Sequence, residues 1–299
     1  MLKPLDSAAV ETAAVLIDTL PYIQQFSGKT VVIKYGGNAM VNDELKNSVI
    51  QDITLLKYVG MRPVVVHGGG PEITKIMKQM GKETTFVSGL RVTDAETVAL
   101  AEMVLVGKIN TEIVSLLNRH GSKAVGLSGK DADLIVAKKH LAQVYENETV
   151  TTVDIGFVGD VEHINTDILT TLLDNGYTPV IAPIGVGTDK ESYNINADYV
   201  AGEVAGALGA EKLLLLTDVE GIYGDYHDKN TFISSLALTE AEKMIKDGRI
   251  EGGMIPKVET CIRALRGGAA KTHIIDGRQP HSILLEIFTS QGIGTEVVK

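Results

Sequence analysis

A lysine ends an apolar run in "VVIKYGGNAM", and two glycines follow almost directly: Lys34, Gly36 and Gly37. A second glycine run, with Gly69 and Gly70, follows another apolar run in "VVVHGGGPEI". A strand, a glycine loop and a helix in this order present free backbone N–H groups beside a helix N-terminus, which suits an anion. A lysine that closes a buried strand is costly unless it faces a cleft. The two loops and Lys34 therefore predict a site for phosphate or carboxylate groups.

Other glycine-loop signatures do not fit this chain. "HGGGPEI" lacks the dinucleotide-binding fingerprint, because Ile73 stands where glycine or alanine is required. The sequence contains no GxxxxGKS or GxxxxGKT loop, and no GxSxG nucleophile turn accompanies "HGGG". Protein-kinase motifs and Cys/His metal spacings are also absent from the sequence. These observations argue against a nicotinamide-dependent oxidoreductase, a P-loop enzyme, a serine esterase and a protein kinase.

Composition narrows the class of protein further. The chain has 299 residues, a net charge of −10 and one cysteine. The negative charge argues against nucleic acid as a partner, and a single cysteine allows no internal disulfide, which fits a cytoplasmic location. No apolar run has the length of a membrane span, so we expect no membrane partner. Acidic residues in the first stretch argue against a secretory signal.

Short, uninterrupted apolar runs predict strands that are buried on both faces: "TVVIKY", "RPVVVHG", "SKAVGLSG", "YTPVIAPIG" and "EKLLLLTDV". Helical patterns separate these runs, so the chain is predicted to be an α/β protein with an open, mostly parallel sheet. We expect hairpins at "TTFVSGLRV" and "IGFVGDVEHI". Thr93 and Glu96 predict a capping box that opens a helix through about Gly107. The polar stretch 185–194 is the candidate domain boundary.

Two helices have special compositions. Apolar residues recur at helical spacing near the N-terminus, with Pro21 as a predicted kink. This amphipathic helix either docks on its own subunit or contacts another subunit, and the sequence leaves both possibilities open. A second helix, after Asn196, is rich in alanine and glycine, and we expect it to pack closely on the sheet.

The motifs "IKYGGNAM", "VVHGGGPEI", "GLRVTD", "YNINADYVAGEVA", "LLLTDVEGIY", "GGMIPKVE" and "LLEIFTSQGIGT" resemble the amino acid kinase family over essentially the whole chain. "NINAD" together with "GLRVTD" is similar to the members that phosphorylate N-acetyl-L-glutamate in arginine biosynthesis. The resemblance implies an open αβα sandwich. It divides the chain into an oligomerisation helix at 1–27, an N-acetylglutamate-binding lobe at 28–190 and an ATP-binding lobe at 191–299.

The implied reaction moves the γ-phosphoryl group of ATP to the side-chain carboxylate of N-acetyl-L-glutamate. This acceptor is already ionised at neutral pH, so the reaction needs positioning and charge neutralisation rather than a general base. The resemblance places Lys34 and Lys257 beside the transferring group, and it assigns Asp198 to hold both lysines. Without the resemblance, each lysine could form a surface salt bridge, and Asp198 could simply favour its helix dipole.

The resemblance also implies the residues that bind the two substrates. Those for N-acetyl-L-glutamate are Gly69, Gly70, Arg91, Asn194 and Asn196. Arg91 suits the α-carboxylate because its planar guanidinium can bind it with two hydrogen bonds, whereas Asn196 could instead cap a helix. Those for the nucleotide and its phosphates are Gly36, Gly37, Thr217, Asp218, Gly221, Tyr223, Gly253 and Met254. Mg²⁺ accompanies ATP and is expected on phosphate oxygens and water, with no protein ligand and no prosthetic group.

The N-terminal helix and the ending "HII…LLEIF…GIGT" resemble arginine-inhibited, hexameric members of the family. The implied contacts of the effector L-arginine are Tyr22, Lys212, His273, Glu286 and Gly292. The implied hexamer is a trimer of dimers joined through the N-terminal helices. Glu286 could instead be a solvated charge at the end of a strand. Some relatives bind a PII-type signalling protein, but nothing in this sequence points to one.

Two other functions stay open from the residues alone. The first is another acyl or carbamate kinase on the same fold. The second is an amino-acid sensor without catalytic activity. The presence of both lysines, Asp198 and both glycine loops argues against the sensor.

Overall fold

The structure is a computed structural model that describes residues 7–146 and 149–299. The first six residues of the predicted oligomerisation helix therefore lie outside the described residues. The α-helices are α1 Ser7–Phe26, α2 Asp43–Tyr58, α3 Gly70–Gln79, α4 Ala95–Glu102, α5 Thr111–Arg119, α6 Asp167–Asp174, α7 Ala197–Ala207, α8 Leu238–Lys246, α9 Ile255–Gly267 and α10 Ser282–Phe288. The strands are β1 Thr30–Tyr35, β2 Arg62–His67, β3 Phe86–Val87, β4 Leu90–Arg91, β5 Ala124–Ser128, β6 Ile135–Glu146, β7 Thr149–Ile164, β8 Thr178–Ala182, β9 Ile184–Gly187, β10 Ser192–Ile195, β11 Lys212–Thr217, β12 Ile222–Tyr223, β13 Phe232–Ile233, β14 Ser235–Ala237, β15 Lys271–Asp276 and β16 Thr295–Val298.

An eight-stranded sheet in the order β14-β16-β15-β11-β1-β2-β8-β5 forms the centre of the molecule. The strands from β15 to β5 are parallel, whereas β16 runs antiparallel to β15 at the other edge. Helices connect the parallel strands, as the alternating sequence pattern requires. The predicted α/β fold with an open, mostly parallel sheet is therefore confirmed.

Both faces of this sheet are buried, which explains why its strands read as uninterrupted apolar runs. Val32 of β1 belongs to the core that also contains residues of α7 and α9. Its neighbours Val31 and Ile33 point to the opposite core, which contains residues of α2 and α10. The sheet thus lies between two helical layers, as in an αβα sandwich.

The glycines of α7 allow a very close approach, but to another helix. A Cβ at Gly202 would lie 2.9 Å from Thr260 Cγ2 of α9, and one at Gly206 would lie 3.0 Å from Gly267 Cα. We predicted that α7 packs closely on the sheet, but its closest approaches at Gly202 and Gly206 are to α9. The glycine positions face α9, and this contact fixes α7 and α9 side by side.

Four strands form a small closed barrel in the order β10-β7-β6-β9. The predicted hairpin at "IGFVGDVEHI" is wrong, because this segment lies within the single long strand β7, which pairs antiparallel with β6. Gly156 and Gly159 mark close contacts within this strand: a Cβ at Gly156 would lie 2.1 Å from Thr93 O, and one at Gly159 would lie 2.7 Å from Tyr193 Cβ. The polar stretch 185–194 includes the β9–β10 connection of this barrel. The division of the chain between 190 and 191 stays a prediction.

The hairpin predicted at "TTFVSGLRV" is confirmed as β3 and β4. Ser88 and Gly89 form its turn with φ of 48° and 78°, the two positive values that a type I′ turn needs. The predicted capping box is wrong by one residue. Asp94 caps α4 by accepting the Thr97 N–H at 2.8 Å, while Thr93 Oγ1 donates to Arg91 O.

The helix that Asp94 caps also ends differently from the prediction. α4 ends at Glu102, and the chain continues as a π-helical segment, Met103–Asn110, into α5. This π segment passes under the second glycine loop, because Leu105 and Ile109 side chains lie where a Cβ of Gly69 would be.

α1 is a continuous helix that contains Pro21 and leaves most of its apolar residues exposed. The exposed fractions of Val15, Leu16 and Ile17 are 61%, 65% and 67%, whereas Phe26 at the end of the helix is buried. These exposed fractions show that the rest of the described chain does not cover the apolar side of α1. Within the described residues, no helix is long and apolar enough to cross a membrane.

Candidate functional site

The carboxyl ends of β1, β2, β11 and β15 meet at one edge of the sheet, where clefts form in open α/β folds. Lys34 lies in β1 two residues after Val32, so both side chains point to the same face of the sheet. α7 and α9 cover that face. This register brings the Lys34 ammonium group to the N-terminal ends of both helices.

One carboxylate bridges two ammonium groups at this point. Asp198, in the first turn of α7, places Oδ1 3.0 Å from Lys34 Nζ and Oδ2 3.2 Å from Lys257 Nζ in the first turn of α9. The side chains are largely shielded, with exposed fractions of 12% for Lys34, 9% for Asp198 and 19% for Lys257. The three residues come from three elements that are far apart in sequence, as the resemblance implied.

The cluster carries an excess positive charge. Burial raises the pKa of Asp198, but the charges of Lys34 and Lys257 outweigh this and hold the pKa at about 2. Two ammonium groups against one carboxylate leave one positive charge in a shielded place. Asp198 Oδ1 pairs with Lys34 at 3.0 Å and Oδ2 pairs with Lys257 at 3.2 Å, so this single carboxylate orients both ammonium groups.

The first glycine loop is tied to the end of β11. Asn38 N–H donates to Asp218 Oδ1 at 3.0 Å, so a carboxylate of the neighbouring strand end holds this loop. Gly37 has a φ of +66°, and its missing Cβ would lie 2.8 Å from Asp218 Oδ1. At Gly36, a Cβ would lie 2.6 Å from Lys34 Nζ, so the ammonium group folds back over this glycine. The loop and Lys34 thus form one unit.

The second glycine loop leads into α3, which begins at Gly70 and leaves its first N–H groups without helical partners. Arg91 lies beside it: Nη2 donates to Gly70 O at 3.0 Å and to Thr74 Oγ1 at 2.8 Å. Its guanidinium also stacks over Phe86, with 4.9 Å between Cζ and the ring centroid. The structure therefore brings Arg91, Gly69 and Gly70 together. Sequence analysis did not identify Thr74 as a partner of Arg91.

The two predicted asparagines lie on or just after β10. Asn194 lies within β10 and is half-buried. Asn196 Oδ1 accepts the Asp198 N–H at 2.8 Å and so caps α7. This is the alternative role that the sequence allowed for Asn196, and it orients the first turn that carries Asp198. Substrate binding by either asparagine stays a prediction.

A cleft of about 850 Å³ opens next to the charged cluster. Its lining includes the predicted nucleotide residues Thr217, Asp218, Gly221, Tyr223, Gly253 and Met254, together with Lys257. This volume lies within the range of about 300–1,000 Å³ that small-molecule sites occupy. Lys257 thus connects the cleft to Asp198 and Lys34. Among residues 7–146 and 149–299, no group of three or more His, Cys, Asp and Glu side chains is placed to hold a metal ion.

The predicted effector residues form a second, buried cluster near the end of α1. His273 lies between Lys212, whose Nζ is 3.0 Å from its Nε2, and Glu286, whose Oε1 is 2.6 Å from its Nδ1. Glu286 Oε2 accepts the N–H groups of Ile293 and Gly294 at 2.8 and 3.1 Å. These contacts make Glu286 a buried, hydrogen-bonded carboxylate rather than a solvated charge. Burial also lowers the pKa of the neighbouring Lys212.

The remaining effector residues belong to neighbouring segments of this cluster. Gly292 has a φ of +61°, and its missing Cβ would lie 2.8 Å from Glu286 Oε2. The Phe26 ring of α1 lies 5.2 Å from Lys212 Nζ. Tyr22 lies one helical turn before Phe26 and packs on the same core. The structure thus brings four predicted residues together and places Tyr22 on the adjoining helix.

Sequence analysis missed two buried polar residues beneath the second glycine loop. Asn110 Nδ2 lies 3.2 Å from His67 Nε2 and donates to Val180 O at 2.9 Å. His67 directly precedes the glycine run, and its position at the end of a buried strand was the available signal. Asn110 gave no local signal, because it reaches His67 through the π segment.

Comparisons with known proteins found a matching family model and similar proteins. The model of the amino acid kinase family matches residues 29–276. An acetylglutamate kinase of Moorella thermoacetica is 60% identical over 289 residues, which cover 97% of this chain and 98% of that protein. An acetylglutamate kinase of Pelotomaculum thermopropionicum is 60% identical over 290 residues, with the same two coverages of 97% and 98%.

Solved structures of a related protein resemble the whole chain. N-acetylglutamate synthase from Neisseria gonorrhoeae, complexed with coenzyme A and N-acetyl-glutamate, superposes with a TM-score of 0.80 at 26% identity over 96% of this chain. The same synthase with coenzyme A and L-arginine gives a TM-score of 0.77 at 25% identity, again over 96% of this chain. The chain spans 63% and 65% of the length of those two structures.

Proposed function

The chain belongs to the amino acid kinase family, and we propose that it transfers the γ-phosphoryl group of ATP to the side-chain carboxylate of N-acetyl-L-glutamate. The product is N-acetyl-L-glutamyl 5-phosphate, an acyl phosphate of arginine biosynthesis. Near full-length identity of 60% with acetylglutamate kinases supports this acceptor. The observation that carries the proposal is the Lys34–Asp198–Lys257 cluster, whose Lys257 lines the proposed nucleotide cleft.

The chemistry requires two anions to meet. The acceptor carboxylate is ionised at neutral pH, so no proton has to be removed from it. Asp198 is not a base, because its pKa is about 2 and both its oxygens face ammonium groups. Lys34 and Lys257 instead neutralise the oxygens of the transferring group, and Asp198 holds them in place.

The glycine loops and Arg91 orient the two substrates. Backbone N–H groups at Gly36, Gly37, Gly69 and Gly70 bind phosphoryl and carboxylate oxygens. Arg91 binds the α-carboxylate of the acceptor: a guanidinium has five N–H donors, and the contacts with Gly70, Thr74 and the Met77 sulfur use three of them. We assign the N-acetylglutamate lobe to 28–190 and the ATP lobe to 191–299.

ATP fits the cleft next to Lys257, with Thr217, Asp218, Gly221 and Tyr223 along its lining. Mg²⁺ enters with the nucleotide and is held by phosphate oxygens and water, which suits its preference for oxygen ligands and retained water. When bound, the ion neutralises part of the triphosphate charge. We also propose that the protein works in the cytoplasm, where ATP is available.

Hydroxylamine trapping of the acyl phosphate tests the reaction. With ATP, Mg²⁺ and N-acetyl-L-glutamate, we expect hydroxamate to form at a rate that saturates in both substrates. Carbamate, L-aspartate and N-acetyl-L-aspartate serve as competing acceptors. Preferred use of one of these would make the chain another kinase of the same fold. No turnover with any acceptor would favour the sensor.

We further propose that L-arginine inhibits the enzyme and that the N-terminal helices join three dimers into a hexamer. Support comes from the buried Lys212–His273–Glu286 cluster, which meets α1 at Phe26. A buried carboxylate suits the guanidinium or α-amino group of arginine. The uncovered apolar side of α1 suits the same helix of a second copy of the chain.

Three variants separate the parts of this proposal. Deletion of residues 1–25 should keep catalysis but abolish both inhibition and the hexamer. Leu16→Glu places a charge on the exposed apolar side of α1, so it should break the hexamer without touching the effector cluster. Glu286→Gln should weaken arginine inhibition while the hexamer persists. Sedimentation and inhibition curves measure these outcomes, and inhibition that survives the deletion would refute the proposed role of α1.

A further inference from the structure

We infer that His67 and Asn110 are positioning residues, which hold the Gly68–Gly69 peptide so that the Gly69 N–H group faces the reacting groups. This inference rests on the proposed function, because it concerns the glycine loop that binds the acceptor and the phosphoryl group. Neither side chain touches the substrates. Both act from beneath the loop, in the interior of the protein.

The hydrogen bonds define the tautomer of His67. Asn110 Nδ2 donates to Val180 O at 2.9 Å, which identifies this atom as the amide nitrogen. The same nitrogen lies 3.2 Å from His67 Nε2, and since it can only donate, Nε2 must accept. The ring proton is therefore on Nδ1, which lies 2.9 Å from Gly68 O and donates to it.

This donation fixes the direction of the next peptide group. In a planar trans peptide, the C=O and N–H groups point in opposite directions. The carbonyl of Gly68 is held toward the fully buried His67 ring, so the N–H of Gly69 must point away from it. Away from the ring lies the face of the sheet that carries the Lys34 ammonium group, because Lys34 pairs with Val66 and so lies on the opposite face from His67. A neutral ring is required for this arrangement, and burial lowers the pKa of His67 to about 4.

Steric contacts hold the same loop from the π segment. A Cβ at Gly69 would lie 2.5 Å from both Leu105 Cδ2 and Ile109 Cδ1, so the loop sits directly on these side chains. Asn110 follows Ile109 and reaches His67 from the same segment. Gly126 of β5 leaves room for the amide, because its missing Cβ would lie 2.0 Å from Asn110 Oδ1. Three elements thus cooperate to hold one peptide group.

Two substitutions test the inference. His67→Phe removes both hydrogen bonds of the ring, and Asn110→Leu removes the donor to Nε2. We expect each to lower kcat about 100-fold, the lower end of the loss of about 10²- to 10³-fold that follows removal of one oxyanion donor. KM for ATP should stay within about twofold, because the nucleotide cleft is untouched. The double variant should be no worse than His67→Phe, since both act through one peptide.

Val65→Ala is the matched control. Val65 is buried on the same strand and faces the same core as the residues beneath the loop. Its truncation destabilises the protein without changing a hydrogen bond of the loop, so kcat should stay within about twofold. A comparable loss of kcat in Val65→Ala would overturn the inference, as would full kcat in His67→Phe or Asn110→Leu.

A measurement that needs no activity separates this inference from the proposed function. The ¹⁵N chemical shifts of the His67 ring in the unmodified protein should show a protonated Nδ1 and a bare Nε2 at neutral pH. Asn110→Leu should change this pattern or release the ring. A proton on Nε2 would overturn the inference even if the enzyme phosphorylates N-acetyl-L-glutamate. The expected tautomer without turnover would contradict the proposed function and leave the geometry of the loop supported.

Discussion

Substitution of Gly36 by alanine should move one ammonium group and little else. Gly36 has extended backbone angles of φ −172° and ψ −174°, which any residue adopts without strain. The atoms nearest to an added Cβ are Lys34 Nζ at 2.6 Å and Lys34 Cε at 3.0 Å. Optimal contacts between such atoms need about 3.5 Å, so the ammonium must move by roughly 1 Å. It then leaves its 3.0 Å position beside Asp198.

The expected loss is large in rate and small in stability. A misplacement of about 1 Å in a catalytic group can lower a rate about 100-fold, and we expect kcat of Gly36→Ala to fall by about that factor. The free energy of unfolding should change by less than about 1 kcal/mol, because only the end of a flexible side chain is displaced. The hydroxamate assay gives kcat, and urea unfolding gives the stability.

Gly107→Ala is the matched control, since a Cβ there would meet nothing within 4 Å and its backbone angle is ordinary. Lys34→Ala supplies the second comparison. If Gly36→Ala acts through Lys34, the double variant should be no slower than Lys34→Ala alone. Full activity of Gly36→Ala would refute the reasoning, and so would losses that add in the double variant.

Three further predictions follow from the charges and burial of single residues. Asp198→Asn should lower kcat at least about 100-fold. It should also destabilise the protein by about 2 kcal/mol, because the carboxylate pKa of about 2 lies below the ordinary 3.8. In the unmodified protein that contribution is present above pH 3.8 and is lost as pH falls to 2. A normal kcat in Asp198→Asn would contradict this role. Burial lowers the pKa of His67 from 6.5 to about 4, so the unfolded chain takes up that proton first and stability should fall by about 3 kcal/mol between these pH values. Urea titrations of the unmodified protein and His67→Phe test this, and equal pH slopes would contradict it. Arg91→Lys should raise KM for N-acetyl-L-glutamate about 10- to 100-fold with KM for ATP unchanged, because lysine cannot bind a carboxylate with a planar fork; steady-state kinetics with an unchanged acceptor KM would exclude Arg91 from this contact.

The parts of the fold that the sequence predicted correctly depend on local patterns. β1 and β2 were recognised because strands with two buried faces are uninterrupted apolar runs. The β3–β4 hairpin was recognised because Ser88-Gly89, a dipeptide typical of turns, separates two short strand-like runs. Lys34 was singled out because a charge at the end of such a strand needs a cleft, and the structure places Asp198 and Lys257 there.

The errors arose where distant segments decide the local structure. The hairpin predicted at "IGFVGDVEHI" is part of the single strand β7, in which Gly156 leaves room for the Thr93 carbonyl of a distant segment. Thr93 is buried in that contact, so the cap of α4 moves to Asp94. Asn110 reaches His67 only through a π segment, whose i→i+5 hydrogen bonds have no simple sequence signature.

The origin of the bridging oxygen tests the central claim most directly. N-acetyl-L-glutamate labelled with ¹⁸O in both oxygens of its side-chain carboxylate is incubated with the enzyme, ATP, Mg²⁺ and hydroxylamine. Hydroxylamine attacks the acyl carbon and releases phosphate together with the bridging oxygen. If the carboxylate attacks the γ-phosphoryl group beside Lys34 and Lys257, each released phosphate carries one ¹⁸O. Phosphate without the label, formed as ATP is consumed, would show transfer to water and contradict the account.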